Sequence, residues 1–216
     1  MEQGRNTGVD RGVSTGVGEG TGADAGGVGT AAMERILVVG VTGAGKSTLA
    51  RAVGERLGVP FHEMDALYYT GPDWAVNATI AEDVGRIAAG PRWIIDSLGY
   101  PEVRDQLWDR ADTVIWLDYP RRVVMPRVLR RSLARSARRE VLFGGNRESW
   151  RGWLSREHPA WWAWSQYAGR RRELRRRTGD ARFAPLRTLR FTHPRATAGW
   201  LAGLAPAALR ERRAGT

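Results

Sequence analysis

Short runs of apolar residues alternate with longer amphipathic segments from residue 33 to about residue 200. The short runs predict buried strands, and the longer segments place apolar residues at helical spacing. The predicted strands are 36–39, 59–65, 93–95, 113–117 and 187–191. The predicted helices are 47–57, 76–89, about 120–137, 158–177 and 195–211, with loops at 66–75 and 144–146. Alternating strands and helices predict an α/β fold, a doubly wound parallel sheet of five strands.

Three aspartates stand where predicted strands end. Asp65, Asp96 and Asp118 close the second, third and fourth apolar runs. In a doubly wound parallel sheet, ligands bind at the carboxyl ends of the strands. We therefore expect these carboxylates to line one edge of the sheet, together with the loop that follows the first strand.

The first 32 residues differ in composition from the rest of the chain. They are rich in Gly, Thr and Ala and have no apolar periodicity. Such a segment buries too little apolar surface to offset the entropy of ordering it, so we predict that it is disordered. The predicted folded domain is 33–216. Met33 directly precedes the first strand, which makes it a second candidate for the start of translation, to be decided by the intact mass of the native protein.

A glycine-rich loop joins the first strand to the first helix. Gly40, Gly43, Gly45, Lys46 and Ser47 follow the pattern GxxxxGK[ST], which is typical of P-loops that bind nucleoside triphosphates. The glycines let the backbone N–H groups approach the phosphates, the lysine supplies a charge, and the hydroxyl binds Mg²⁺. The predicted nucleotide-binding residues are Gly40, Val41, Thr42, Gly43, Ala44, Gly45, Lys46, Ser47 and Thr48. ATP and Mg²⁺ are the expected cofactors.

Lys46 is the only lysine among 34 strongly basic residues. Arginine serves everywhere else in this chain. A compact ammonium fits among phosphate oxygens in a tight loop in a way that a planar guanidinium does not. The lysine therefore supports the interpretation of the loop as functional. The simpler alternative is that one lysine is present by chance in an arginine-biased composition.

The positive charge is concentrated in one segment. The net charge of the chain is +11, and residues 121–177 contain 17 arginines against four glutamates. A basic segment suits a polyanion, either the phosphates of a small substrate or the backbone of a nucleic acid. Solvated arginine faces of helices are the simpler explanation for most of these side chains.

Composition also excludes several kinds of site. The chain has no cysteine, so disulfides and thiolate metal sites are excluded. His62, His158 and His193 lack the spacing of metal ligands. No apolar run approaches the ~20 residues of a membrane span. The start of the chain also lacks the apolar centre of a secretory signal, so we expect a soluble protein of the cytoplasm.

Four stretches of the chain resemble a known family. They are RILVVGVTGAGKSTLA, HEMDALYY, RWIIDSLGYPEVRDQLWDRADTVIWLDYPRRVVMPRVLRR and AWWAWSQYAGRRRELRRR. In this order they resemble the P-loop kinases of the adenylate-kinase type, and among these the DNA topology modulation proteins, over about residues 33–200. The resemblance implies ATP- and Mg²⁺-dependent phosphoryl transfer to a small, unidentified acceptor, which includes nucleotide-like compounds. It also implies an arginine-rich helical lid, at about 121–177.

The resemblance assigns roles to the three aspartates. Asp96 corresponds to the acidic residue that reaches Mg²⁺ through water, on the strand beside the P-loop strand. Asp118 follows a similar apolar run and stays an alternative for this role. Asp65 corresponds to the residue that holds or deprotonates the acceptor in related kinases, and a capping role in the following turn is its alternative.

Arg127 and Arg131 match a pair of arginines that the resemblance places on the transferring phosphoryl group. A spacing of four puts both on one helix face, as a two-point clamp on one phosphate requires. Arg130 is expected to point elsewhere, and Pro126 indicates a kink or a later helix start. After Asp96 the chain lacks the arginine with which adenylate kinases bind a monophosphate, which argues against AMP as acceptor.

A second function class stays open at this point. An ATP-binding regulatory or DNA-topology-modulating protein would bind nucleic acid without phosphorylating an acceptor. Tryptophans close to the arginine run suit stacking on single strands: Trp150, Trp153, Trp161, Trp162 and Trp164. We instead expect the helix face that carries Trp161 and Trp164 to pack on the sheet, and the opposite face to be solvated.

Overall fold

The computed structural model describes residues 33–138 and 159–206. Within these residues, five parallel strands form one sheet in the order β2-β3-β1-β4-β5. The strands are β1 (Arg35–Gly40), β2 (Phe61–His62), β3 (Trp93–Ile95), β4 (Thr113–Leu117) and β5 (Arg187–Phe191). The predicted fold class, a doubly wound parallel α/β sheet of five strands, is confirmed. The segments 1–32, 139–158 and 207–216, which include the predicted leader and the loop at 144–146, lie outside the described residues.

Seven helices connect the strands in the described part of the chain. They are α1 (Lys46–Leu57), α2 (Met64–Tyr68), α3 (Ile80–Ala89), α4 (Arg104–Arg110), α5 (Arg121–Arg138), α6 (Pro159–Thr178) and α7 (Pro194–Gly203). The predicted helices at 47–57, about 120–137 and 158–177 agree with α1, α5 and α6. None of the described helices combines the length and the apolar character needed to cross a bilayer.

Both faces of the sheet are buried, which explains why β1 is a continuous apolar run. Ile36 and Val38 pack with residues of α1 on one face, whereas Leu37 and Val39 pack with α3, α4 and α6 on the other. All four side chains are fully buried. The burial holds the loop after β1 between two layers of helices.

The second predicted strand is shorter than its apolar run. Only Phe61 and His62 pair with β3, and α2 begins at Met64. The backbone turns there because the Met64 N–H donates a hydrogen bond to Oδ1 of Asp96, at 3.0 Å, instead of continuing the strand. Asp65 therefore lies in the first turn of α2 and not at a strand exit. The prediction of a loop for 66–75 is wrong for its first part, which α2 occupies.

Three further helix predictions need correction. The predicted helix 195–211 is too long, because α7 ends at Gly203 and residues 204–206 are not helical. Helix α3 begins at Ile80, later than residue 76, because Oδ1 of Asn77 accepts hydrogen bonds from the backbone N–H and the hydroxyl of Thr79 and holds this segment as a turn. Helix α4 is absent from the predicted elements. Its seven residues, about two turns, bury Leu107 and Trp108 almost completely, so tertiary packing stabilises a helix too short to show a clear period.

Pro126 lies inside α5 and does not mark its start. The helix begins at Arg121, where the carbonyl of Pro120 accepts hydrogen bonds from Val123 and Val124. The Pro126 residue is exposed. Water can therefore bind the backbone carbonyl that loses its helical donor, which lowers the usual cost of proline in a helix.

The predicted packing of the tryptophan face of α6 is wrong. Trp161 and Trp164 are 51% and 46% exposed. Helix α6 is instead docked by other residues: the hydroxyl of Tyr167 donates to the Tyr119 carbonyl at 3.0 Å, and Leu174 is buried in the core. The guanidinium of Arg121 covers the inner side of the Trp164 ring, 4.2 Å from its centroid.

Candidate active site

The loop between β1 and α1 depends on two glycines. Gly43 has a φ of 83°, and a Cβ there would lie 2.4 Å from Cγ2 of Val128, so the loop packs directly against α5. Gly45 has a φ of 93°, and in the described structure nothing lies within 4 Å of the position of a Cβ. This side of the loop is open. Since no acidic residue and no side-chain cap occupies the first turn of α1, the loop and the helix N-terminus fit an anion such as a phosphate group.

Lys46 is the first residue of α1, and its ammonium returns to the loop. Its Nζ donates to the Val41 carbonyl at 3.4 Å. Burial lowers the pKa of Lys46, and the negative charges of Asp96 and Asp65 oppose this shift. Arg170 and Arg131 lower the same pKa further. The lysine therefore lies within electrostatic range of two carboxylates and two guanidinium groups.

Asp96 follows β3 and is 7% exposed. Its Oδ1 accepts the hydrogen bond from the Met64 N–H, and its charge acts on Lys46. The carboxylate is thus held by the backbone of the neighbouring segment and faces the glycine-rich loop. In the described part of the chain, no group of three or more His, Asp or Glu side chains is arranged to hold a metal ion.

Asp118, the alternative to Asp96, is engaged elsewhere. Its side chain is 2% exposed and accepts hydrogen bonds from two arginines, Arg171 of α6 and Arg190 of β5, including one of 3.0 Å from each. Strands β3 and β4 both neighbour β1, so position in the sheet does not distinguish the two aspartates. The ion pairs distinguish them, because the Asp118 carboxylate joins α6 to the sheet through its two arginine partners.

We expect Asp118→Asn to lower the free energy of unfolding by about 1–3 kcal/mol, because two charged guanidinium groups lose a buried acceptor. The matched control is Asp109→Asn, which removes an ion pair with Arg182 whose two side chains are 54% and 43% exposed. That change is expected to cost less than about 0.5 kcal/mol. Urea denaturation of both variants measures the difference, and equal effects would contradict a structural role for Asp118.

Asp65 lies beside a tyrosine and two other carboxylates. The hydroxyl of Tyr100 donates to Oδ1 of Asp65 at 3.0 Å, while no side chain caps α2. Burial raises the pKa of Glu63, and Asp96 and Asp65 raise it further. No side-chain hydrogen bond thus supports the alternative role of Asp65 as a helix cap. The three carboxylates form an acidic side of the site, which Arg51 and Arg135 also approach.

A cleft of about 510 Å³ extends from the glycine-rich loop to α7. Arg127, Arg130 and Arg131 of α5 line it, so the expectation that Arg130 points elsewhere is wrong. Residues three or four apart share a helix face, which explains this grouping. Arg127 donates to the Ala44 carbonyl at 3.4 Å and covers the Tyr119 ring at 5.6 Å. Arg131 lowers the pKa of Lys46, so the two predicted clamp residues line the same cleft and Arg131 also lies within electrostatic range of the lysine.

Arg170 is a site residue that the sequence pattern did not single out. It lies in a run of three arginines, and the run carries no signal for which member faces the loop. The choice follows from how α6 docks, since Tyr167 bonds to Tyr119 and Arg171 pairs with Asp118. These contacts leave Arg170 within electrostatic range of Lys46.

No protein-family model matches the chain, and no curated protein matches it. Several solved structures of kinases are similar to it. A gluconokinase from Sinorhizobium meliloti 1021 is 20% identical, with a TM-score of 0.44 over 80% of this chain and 94% of that chain. Shikimate kinase from Acinetobacter baumannii, solved in complex with shikimate, is 16% identical, with a TM-score of 0.47 over 80% and 91%.

Deoxyadenosine kinase from M. mycoides, solved with bound dATP, is 12% identical, with a TM-score of 0.38 over 84% of this chain and 99% of that chain. At such identities and scores these similarities assign neither a family nor an acceptor to this chain. The resemblance to the DNA topology modulation proteins stays a prediction. The site described above carries the functional interpretation.

Proposed function

We propose that the protein is an ATP- and Mg²⁺-dependent kinase that transfers a phosphoryl group to a hydroxyl of a small acceptor. The observation that carries the proposal is the position of Lys46 at the start of α1, with its Nζ 3.4 Å from the Val41 carbonyl of the glycine-rich loop and charges of both signs around it. The two carboxylates are Asp65 and Asp96, and the two guanidinium groups are Arg131 and Arg170. The five charges come from four helices and the end of β3.

On the donor side, the loop would bind the phosphates of ATP through its backbone N–H groups. The cleft lined by Arg127 and Arg130 leads away from the loop and has room for the nucleoside. Lys46, Arg131 and Arg170 would stabilise the charge that develops on the transferring phosphoryl group. In this arrangement Arg127, which donates to the Ala44 carbonyl, acts on the nucleotide, and Arg131 acts on the phosphoryl group beside Lys46.

Ser47 and Asp96 are the residues that would hold Mg²⁺. One hydroxyl and one carboxylate fit a cation whose remaining ligands are phosphate oxygens and water. When bound, the ion neutralises phosphate charge during transfer. Asp118 has no part in this role in our proposal, because its carboxylate is occupied by Arg171 and Arg190.

On the acceptor side, Asp65 would accept the proton of the attacking hydroxyl. The acceptor oxygen forms a bond to the γ-phosphorus, the bond from phosphorus to the bridging oxygen breaks, and ADP leaves with that electron pair. Tyr100 donates its hydrogen bond to one oxygen of Asp65. It would thereby orient the carboxylate and leave its second oxygen for the acceptor.

The test is ADP release by the full-length protein with Mg-ATP, against a panel of nucleosides, nucleoside monophosphates, sugars and DNA. We expect one class of small hydroxyl compound to stimulate ADP release in a saturable manner, with little dependence on salt. If no compound stimulates release while DNA changes the affinity for ATP with a steep salt dependence, the regulatory alternative replaces the kinase.

A further inference from the structure

Four aromatic side chains form a cluster that begins at Asp65, and of these only Tyr100 has a role in the phosphoryl transfer described above. Tyr100, which bonds to Asp65, stacks on Tyr68 with ring centroids 3.5 Å apart. Tyr69 lies edge-on to Tyr68 and Tyr100, and Trp74 lies edge-on to Tyr69 at 5.3 Å. The four rings form a continuous surface that starts at the proposed base. We call it the aromatic surface.

The outer end of the aromatic surface is built by a short loop. Tyr69 and Val76 form an isolated antiparallel bridge, and the Thr70 N–H donates to the Ala75 carbonyl at 3.2 Å. Within this loop Trp74 has a φ of 58°, a left-handed conformation that is uncommon for a bulky residue. The ring is 42% exposed. A large ring is thus held at the surface by a backbone conformation that costs free energy, which is typical of ligand-binding segments.

The charged groups that act on Tyr68 and Tyr100 are carboxylates. Tyr100 donates its hydrogen bond to Asp65, and burial together with the charge of Glu102 raises the pKa of Tyr68. Two arginines approach Glu63: Arg51 at 4.0 Å, and Arg135, which lowers its pKa.

Nearby, Arg104 donates to the Gly99 carbonyl at 3.0 Å and lies 4.0 Å from Glu173. Arg51 and Arg135 share Glu63. Arg104 shares Glu173 with Arg176 and Arg177. A phosphate placed on the rings would be repelled by the carboxylates of Asp65 and Glu102, whereas a neutral or cationic compound would not.

We propose that the acceptor is an unphosphorylated ring compound that stacks on the aromatic surface and directs a hydroxyl to Asp65. The inference rests on the proposed function and names the class of its acceptor. Burial also raises the pKa of Tyr100, so its phenol stays protonated and keeps donating to Asp65. Nucleosides and hexoses share the required chemistry, a ring with a flat face and a free hydroxyl.

The test compares each unphosphorylated compound with its own phosphate, as acceptor and as ligand. The pairs are adenosine with AMP, guanosine with GMP, thymidine with TMP, and glucose with glucose 6-phosphate. We expect the best acceptor to be unphosphorylated, with kcat/KM at least tenfold above that of its phosphate. Comparison of the nucleosides with glucose as acceptors shows which of these two classes of ring compound the protein phosphorylates. A phosphate as the best acceptor, or no binding by any of these compounds, would overturn the inference.

Substitution of Trp74 tests the stacking itself. Trp74→Ala is expected to raise KM for the best acceptor about tenfold, the usual range for the loss of one stacking ring, with kcat changed less than about twofold. Trp74→Phe keeps a ring and is expected to retain most of the affinity. The matched control is Trp161→Ala, which removes an equally exposed tryptophan from α6 and should change neither constant. Equal constants for Trp74→Ala and the native protein would overturn the inference.

Calorimetry separates this inference from the proposed function. Binding of an unphosphorylated ring compound that Trp74→Ala weakens, without any phosphoryl transfer, would support the aromatic surface as a binding site and refute the kinase. Phosphoryl transfer to a monophosphate would support the kinase and refute the acceptor class.

Discussion

Replacing Lys46 by alanine is expected to lower acceptor-dependent turnover about 10³-fold, in the range that follows removal of a preorganised group from a developing anion. The ammonium lies against the Val41 carbonyl in the glycine-rich loop, where the phosphates of ATP are proposed to bind. Its loss removes the charge nearest the transferring group. It also leaves Asp65 and Asp96 without the cation that opposes them.

Lys46→Arg is the informative companion variant, because it preserves the charge and changes only its shape. A planar guanidinium is larger than an ammonium and would have to fit a loop that packs directly on Val128 of α5. We expect at least a tenfold loss for this variant as well. Steady-state ADP release measures both effects, and unchanged urea midpoints exclude unfolding as their cause. Near-normal turnover of Lys46→Ala would refute the proposed role.

Replacing Asp65 by asparagine is expected to lower kcat for phosphoryl transfer about 10²- to 10³-fold, as for the loss of a general base. The amide keeps the size of the side chain but cannot accept the hydroxyl proton. ATP binding is expected to stay near normal, because Asp65 lies on the acceptor side of Lys46 and does not line the nucleotide cleft. Asp65 is exposed, so the fold should tolerate the change.

Two further variants show whether the loss of activity comes from Asp65 itself. Tyr100→Phe removes the hydrogen bond to Asp65 and is expected to reduce kcat only several-fold, in keeping with the modest net value of one hydrogen bond. Glu55→Gln neutralises an exposed carboxylate of α1 and should have no effect. Rates from rapid quench and ATP affinities from calorimetry separate chemistry from binding. Full acceptor-dependent activity of Asp65→Asn would remove this residue from the mechanism.

The choice between Asp96 and Asp118 shows where sequence patterns stop being informative. Both residues follow apolar strands that neighbour β1, so their local sequences are equivalent. Arg171 and Arg190 engage Asp118 from 53 and 72 residues away. Local sequence patterns do not indicate partners that are so far apart in the chain. The two arginine partners of Asp118 become apparent only from the way α6 and β5 pack beside β4.

The acceptor side shows a similar limit. The run 59–65 has the composition of a strand, but one long-range hydrogen bond to Asp96 ends the strand after His62 and begins α2. This moves Asp65 into a helical turn beside Tyr100, which is 35 residues away in the chain. The aromatic surface and its relation to the proposed base follow from that turn.

The sequence by itself determined the α/β class, the glycine-rich loop and the extent of α1 to within one residue. A strand buried on both faces needs a continuous apolar run, and the loop needs glycines at fixed spacing. Both requirements concern neighbouring residues, so they can be recognised in the sequence. The tertiary structure alone decided which aspartate pairs with arginines, which arginine of the 170–172 run lies within electrostatic range of Lys46, and which ring bonds to Asp65. Those choices depend on contacts between elements far apart in the chain, where the free energy of packing overrides local preference.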